Sequence, residues 1–115
     1  MVTFMLPLTM KKLKYYVDNN GRSTFEKWFN ELNNYAAAKI TKEIYKLELG
    51  NFSNVEGVGG GVFEQKINFG PGYRVYFGKE NMEIIILLCG GSKKDQSTDI
   101  KNAKAYWQDY KIRKR

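Results

Sequence analysis

The sequence predicts an α+β fold: a strand, a helix hairpin, an antiparallel meander and a closing helix. Three observations carry this expectation. Apolar residues recur at helical spacing in two adjacent stretches, Phe25, Trp28, Phe29 and Leu32, then Ala36, Ile40, Ile44 and Leu47. The period switches to two from Val62 onward, where Phe63 and Ile67, then Tyr73, Val75 and Phe77, alternate with polar neighbours. Ile100, Ala103, Trp107 and Tyr110 then mark the inner stripe of a last helix. The 115 residues are one domain's length, taken as 1–115, and hold no internal repeat.

Local signals support each element in turn. Residues 12–17 carry aromatic and β-branched side chains and read as the first strand. Asp18-Asn19-Asn20-Gly21 is a turn. Ser23 with Glu26 makes a capping box, each side chain satisfying a free backbone N–H at the helix start. Asn33-Asn34 interrupts that helix, and a second runs from near Tyr35 to a stop at Gly50. So short a link implies an antiparallel pair.

Residues 51–61 read as a glycine-rich flexible connector. Gly57-Val58-Gly59-Gly60-Gly61 is a poor phosphate loop: no Gly-Lys-Ser/Thr follows, and a strand, not a helix, comes next. Around Gly70-Pro71-Gly72, a three-residue loop is expected to pair Ile67 with Val75, Lys66 with Tyr76 and Asn68 with Arg74. A two-residue loop would set Ile67 against Arg74 and mix the faces. The expected register gathers Lys66, Asn68, Arg74 and Tyr76 on one open side of the sheet. Residues 78–81 turn again, and 82–89, apolar throughout from Ile84 to Leu88, read as a central strand buried on both faces. A loop over 90–94 and a helix over 95–112 complete the chain.

Composition narrows the chemistry. Lys and Arg number 19 against 12 Asp and Glu, a formal charge of +7 that favours a polyanion or an acidic protein. There is no histidine, which removes Ser-His-Asp and Cys-His catalysis and most zinc chemistry. Cys89 stands alone, so no internal disulfide forms, and it reads as a small buried hydrophobe. No stretch approaches the length of a membrane span. Residues 2–8 are apolar but lack a preceding basic region, which argues against a signal peptide and for a cytoplasmic protein. Residues 1–11 read as an extension of the domain, with Met10 as an alternative start.

With acids that look scattered, no metal or other cofactor is expected. What converges is positive: Lys66, Arg74 and Tyr76 on one strand-pair face, with Lys93 and Lys94 just after the adjacent strand. Such a face suits RNA. Lys and Arg neutralise phosphate and its transition-state charge, Arg can grip two phosphate oxygens, and Tyr can stack a base. RNA carries its own nucleophile in the 2′-hydroxyl. Solvated cations on an open sheet face are also common without any such role.

Four blocks carry a family resemblance. They are Phe25-Glu26-Lys27-Trp28-Phe29, Leu47-Glu48-Leu49-Gly50-Asn51-Phe52, Gly70-Pro71-Gly72-Tyr73-Arg74-Val75-Tyr76-Phe77, and Leu88-Cys89-Gly90-Gly91 continuing through Lys93, Gln96, Asp99 and Ile100. Together they resemble the HigB-type, phage-derived Gp49-like addiction-module killer proteins of the RelE/ParE toxin superfamily. The resemblance implies a RelE-like fold and the toxin of a type II toxin–antitoxin system. It implies an mRNA endoribonuclease (an mRNA interferase) acting on the ribosome by 2′-hydroxyl attack, with a helix-turn-helix antitoxin as partner. It implies catalytic roles for Arg74, Lys66, Lys93 and Tyr76, and RNA contacts from Lys94, Gln96, Tyr73 and Asn68. The chain departs from the family pattern at Ser92 and Ser97 and lacks the histidine of some members, so the general acid and base stay open. Two other readings share the fold: a ParE-like toxin that binds DNA gyrase, and a nucleic-acid-binding module without activity.

Overall fold

The computed structural model describes residues 10–114. Of the extension read over 1–11, residues 1–9 lie outside the described residues, and Lys11 N–H donates to Glu48 O at 2.7 Å. A five-stranded mixed sheet forms the middle layer, with strand order β1-β5-β4-β3-β2. Its strands are β1 (Lys12–Tyr15), β2 (Val55–Gly59), β3 (Val62–Ile67), β4 (Tyr73–Glu80) and β5 (Ile84–Ser92). β1 runs parallel to β5, and every other pair is antiparallel. The fold is α+β, as the pattern predicts.

Helices α1 (Thr24–Asn30) and α2 (Asn34–Glu48) cover one face. α1 starts where the capping box predicts: the Ser23 side chain accepts from the Glu26 N–H at 3.1 Å. Asn33 caps α2, accepting from the Ala36 N–H at 2.9 Å, so the residue pair that ends one helix begins the next. Such caps contribute about 1 kcal/mol each. Phe25, Ile40, Ile44 and Leu47 pack on Ile67, Val75, Phe77, Ile85 and Leu87 in one core.

Helix α3 (Gln96–Arg113) covers the other face, entered through a 3-10 turn at Lys93–Asp95. Ala103 and Trp107 are buried against Tyr16, Val62, Tyr76, Ile86, Leu88 and Cys89. Ile100 and Tyr110 pack at the margin of this second core, so the stripe read from the sequence is the buried one. β5 lies between both layers, and residues 85–89 are buried throughout, as its unbroken apolar run requires.

Four expectations are corrected. The glycine-rich connector holds the edge strand β2, which pairs with β3 from Val55↔Gln65 to Gly59↔Val62 and makes the meander four-stranded. Next, the β3–β4 register is Lys66↔Arg74, Gln65↔Val75 and Glu64↔Tyr76. The connecting loop spans residues 68–72, held by Gly72 N–H to Phe69 O at 3.0 Å and by left-handed Gly70 (φ 55°) and Gly72 (φ 82°). This is two residues away from the expected register, so side-chain parity survives while Asn68 moves into the exposed turn.

Third, β5 continues through Gly90 and Gly91, which the sequence marks as loop. Those glycines serve close approach: a Cβ at Gly90 would overlap the Trp28 ring, and one at Gly91 the Asp99 carboxylate. Fourth, the face carrying Arg74 and Tyr76 is covered by α3, not open to solvent.

Candidate functional site

Sheet register fixes which side chains meet under the start of α3. Lys66 on β3 lies opposite Arg74 on β4, which lies opposite Gly91 on β5. One row back stand Glu64, Tyr76 and Cys89. A β-bulge at Tyr76/Phe77, with Cys89 and then Leu87 as partners, puts Leu88 and Cys89 into the same core. The bulge reverses the parity of everything beyond it, as an extra residue must. Gly91 therefore belongs to the α3 face, where Gly90 would otherwise stand, and Lys93 follows in the 3-10 turn that leads into α3. The turn is tied to the strand loop by the Lys93 N–H, 2.8 Å from Gly72 O.

The row is graded from wet to dry. Lys66 is half-exposed and pairs with Glu56 at 3.1 Å, whose own side chain is 65% exposed. Lys93 and Lys94 are exposed at the rim. Arg74 is 8% exposed, with Nε 3.6 Å from Glu64 Oε1. Glu64 is 1% exposed, and its Oε2 accepts a 2.7 Å hydrogen bond from Gln96 Nε2 at the start of α3. β3 and β5 lie two strand spacings apart, roughly 10 Å, so Lys66 and the turn that follows β5 flank the strand that carries Arg74.

Behind them the environment is apolar. Tyr76 is fully buried and its hydroxyl has no hydrogen-bond partner among the described residues. Burial above all, and then the adjacent Glu64 carboxylate, push its pKa well above the ordinary phenol value. The Cys89 thiol is pushed up to about 12 by burial, with the Asp99 charge adding to it. It is an inert packing group, as its lone position suggests. Asp99 Oδ2 is buried without a partner among the described residues; burial first, and Asp95 second, raise its carboxyl pKa.

The eight candidates thus divide. Lys66, Arg74, Lys93, Lys94 and Gln96 come together at one end of the sheet, although Gln96 is engaged with Glu64. Tyr76 shares their face but is sealed in the core, so no base can stack on it in this arrangement. Tyr73 faces the opposite side, edge-on to Trp28 with centroids 6.1 Å apart. Asn68 lies in the exposed turn beyond the row. The sequence reading passed over Glu64 and treated Asp99 as one of several scattered acids. Glu64 had a signal available, since it shares parity with Lys66, whereas Asp99 meets the row only through the packing of α3.

Among the described residues, no group of three or more His, Cys, Asp or Glu is placed to hold a metal ion. A cavity of about 290 Å³ lies on the other face, floored by Leu13, Phe25, Phe29, Ile44 and Leu87 and away from the cationic row. The arrangement can bind a phosphodiester at a cationic rim backed by a partly desolvated guanidinium.

No family model matches the chain. It is 46% identical over 87 residues to a protein of Haemophilus influenzae (strain ATCC 51907 / DSM 11121 / KW20 / Rd) described as an uncharacterized protein. The match covers 75% of this chain and 88% of that relative, and the chain belongs to the same family as that protein. No helix among the described residues is long and apolar enough to cross a membrane.

Proposed function

We propose that this RelE-like chain is the toxin of a type II toxin–antitoxin pair, an endoribonuclease that cuts mRNA on the ribosome in the cytoplasm. The observation that carries this reading is the paired row Lys66–Arg74, with Lys93 in the turn that directly follows the adjoining strand β5. Three cations at one sheet end suit the charge that builds on a phosphodiester when its own 2′-hydroxyl attacks. In that step the 2′-oxygen bonds to phosphorus as the bond to the 5′-oxygen breaks. The hydroxyl proton leaves to a base, the departing oxygen is protonated, and a 2′,3′-cyclic phosphate remains. Lys66 and Lys93 hold the phosphate oxygens, and Arg74 answers the transition-state charge from the dry side of the row. A helix-turn-helix antitoxin would neutralise the chain by covering this rim or by barring it from the ribosome.

The test is brief induction of wild type and of Lys66→Ala/Lys93→Ala, followed by mapping of new RNA 5′ ends. Both lysines are solvent-facing, so the variant keeps its fold. Wild type should produce codon-phased cuts in coding regions, and the variant should reduce them by about 10²-fold or more. Growth arrest by wild type without new ends sinks the nuclease reading and turns attention to gyrase.

A further inference from the structure

Two adjacent cations of the row have acid partners of opposite character. The Lys66–Glu56 pair is wet, with side chains 41% and 65% exposed. The Arg74–Glu64 pair is dry, at 9% and 1%. An exposed pair exchanges its acid for an incoming phosphate at little cost, whereas a buried pair persists, because separating it strands a charge out of water. Glu64 therefore stays on Arg74 when Lys66 lets go of Glu56.

Its placement suits that constancy. Glu64 approaches the guanidinium at Nε, 3.6 Å away as an ion pair without a hydrogen bond, and so leaves the end with the two terminal nitrogens for an anion. Its second oxygen is taken by Gln96 at 2.7 Å, so a single carboxylate joins β3, β4 and the first turn of α3. We propose that Glu64 is the positioning residue of this site: it fixes Arg74 through Nε and, through Gln96, makes the docking of α3 set the direction of the guanidinium. The terminal nitrogens then face a phosphodiester held by Lys66 and Lys93. This rests on the ribonuclease reading for its turnover arm alone.

The experiment compares wild type, Glu64→Gln, Glu64→Asp and Glu64→Gln/Arg74→Gln in three measurements: thermal melting, mRNA cleavage on programmed ribosomes, and titration of the isolated chain with inorganic phosphate. Glu64→Gln should lower kcat by about 10²-fold with KM little changed, since misaiming a group by about 1 Å has that effect. Phosphate should bind Glu64→Gln more tightly than wild type, because the guanidinium has lost its competing charge. Glu64→Asp should recover part of kcat, and the double variant should lose the gain in phosphate affinity. Turnover and anion affinity thus move in opposite directions, which a merely structural carboxylate does not produce. An unchanged kcat overturns the proposal, as does a parallel fall of kcat, phosphate affinity and melting temperature. Should wild type cut no RNA, the nuclease reading fails on its own and the phosphate titration decides. A rise in Glu64→Gln that vanishes in the double variant supports the pairing; equal affinities overturn it.

Discussion

The two faces of the sheet are built to different rules. The α1–α2 face has an apolar core, in which Phe25, Ile40, Leu47, Ile67, Val75 and Phe77 are all at most 3% exposed, and its one buried polar link among the described residues is Gln65 Nε2 donating to the Glu43 carbonyl at 2.8 Å. The α3 face is divided. Its far half is aromatic and aliphatic, with Trp107 over Gly78, a glycine because a Cβ there would overlap the indole. Its near half buries Glu64, Arg74 and Tyr76 with the carboxylate of Asp99. Burying charge costs more than burying methylenes, and a well-packed apolar set in the same space would be at least as stable. The first face therefore reports what holds the domain together. The second carries the candidate site.

Substitutions that break each face should separate these roles. Phe77 is fully buried and stacks on Phe63 at 5.6 Å, so Phe77→Ala should destabilise by about 3–5 kcal/mol. Urea unfolding checks the loss, and the folded fraction should keep its activity per molecule. Arg74→Ala should have an effect of similar size, about 3–5 kcal/mol, for another reason: it leaves the Glu64 carboxylate buried without its cation. The contrast lies in rescue. Adding Glu64→Gln should return most of the stability lost by Arg74→Ala, in a protein that folds and does not cleave. If the double variant is as unstable as the single, charge is not what the near half contains.

Much of this frame is legible in the sequence. Ser23, Asn33 and the spacing of Phe25, Ile40, Ile44 and Leu47 place two helices, because capping and 3.6-residue periodicity are local signals. Parity alone puts Lys66, Arg74 and Tyr76 on one face, even with the register displaced by two. What parity cannot say is which face is covered, and that decided the fate of Tyr76. An alternating strand looks the same whether its polar side meets water or a helix carrying matched polar groups. Gln96 and Asp99 are those groups, and their match to Glu64 and Gly91 spans 32 and 8 residues of chain. Gly90-Gly91 misleads for a related reason: glycine marks turns, yet here it marks the sites where Trp28 and Asp99 come too close for a side chain. The β5 bulge likewise has no local signature, although it decides that Gly91, and not Gly90, lies on the α3 face.

The near half also predicts a pH response centred on Asp99. Burial, and then Asp95, hold the Asp99 carboxyl above its ordinary value. A carboxyl with a raised folded-state pKa binds its proton more tightly in the folded chain. Its contribution is fully present below the unfolded value, near 4, and is lost as pH rises through the folded one. Asp99→Asn should remove this response. The stability of the variant relative to wild type should therefore grow from acid toward neutral pH, as denaturant midpoints measured across that range would show. A constant difference would mean that Asp99 titrates as an ordinary surface acid.

The smallest effect on stability falls on the rim, and it is the most telling for function. Lys66→Ala and Lys93→Ala remove solvent-facing side chains, so each should shift unfolding by no more than about 0.5 kcal/mol. If each lysine contacts one phosphate, each substitution should also reduce the salt dependence of single-stranded RNA binding, lowering the slope of log K against log salt by about 0.7. Lys46 is a fitting control: it is about as exposed as Lys66 but pairs with Glu43 on α2, across the sheet from the row. Its alanine variant should leave the slope unchanged. Equal slope changes at all three positions would mean that RNA senses only the overall charge of +7 and that the row has no special place in binding. A change confined to Lys66 and Lys93 would locate the polyanion at the end of the sheet where the bulge, the turn and the Arg74–Glu64 pair converge.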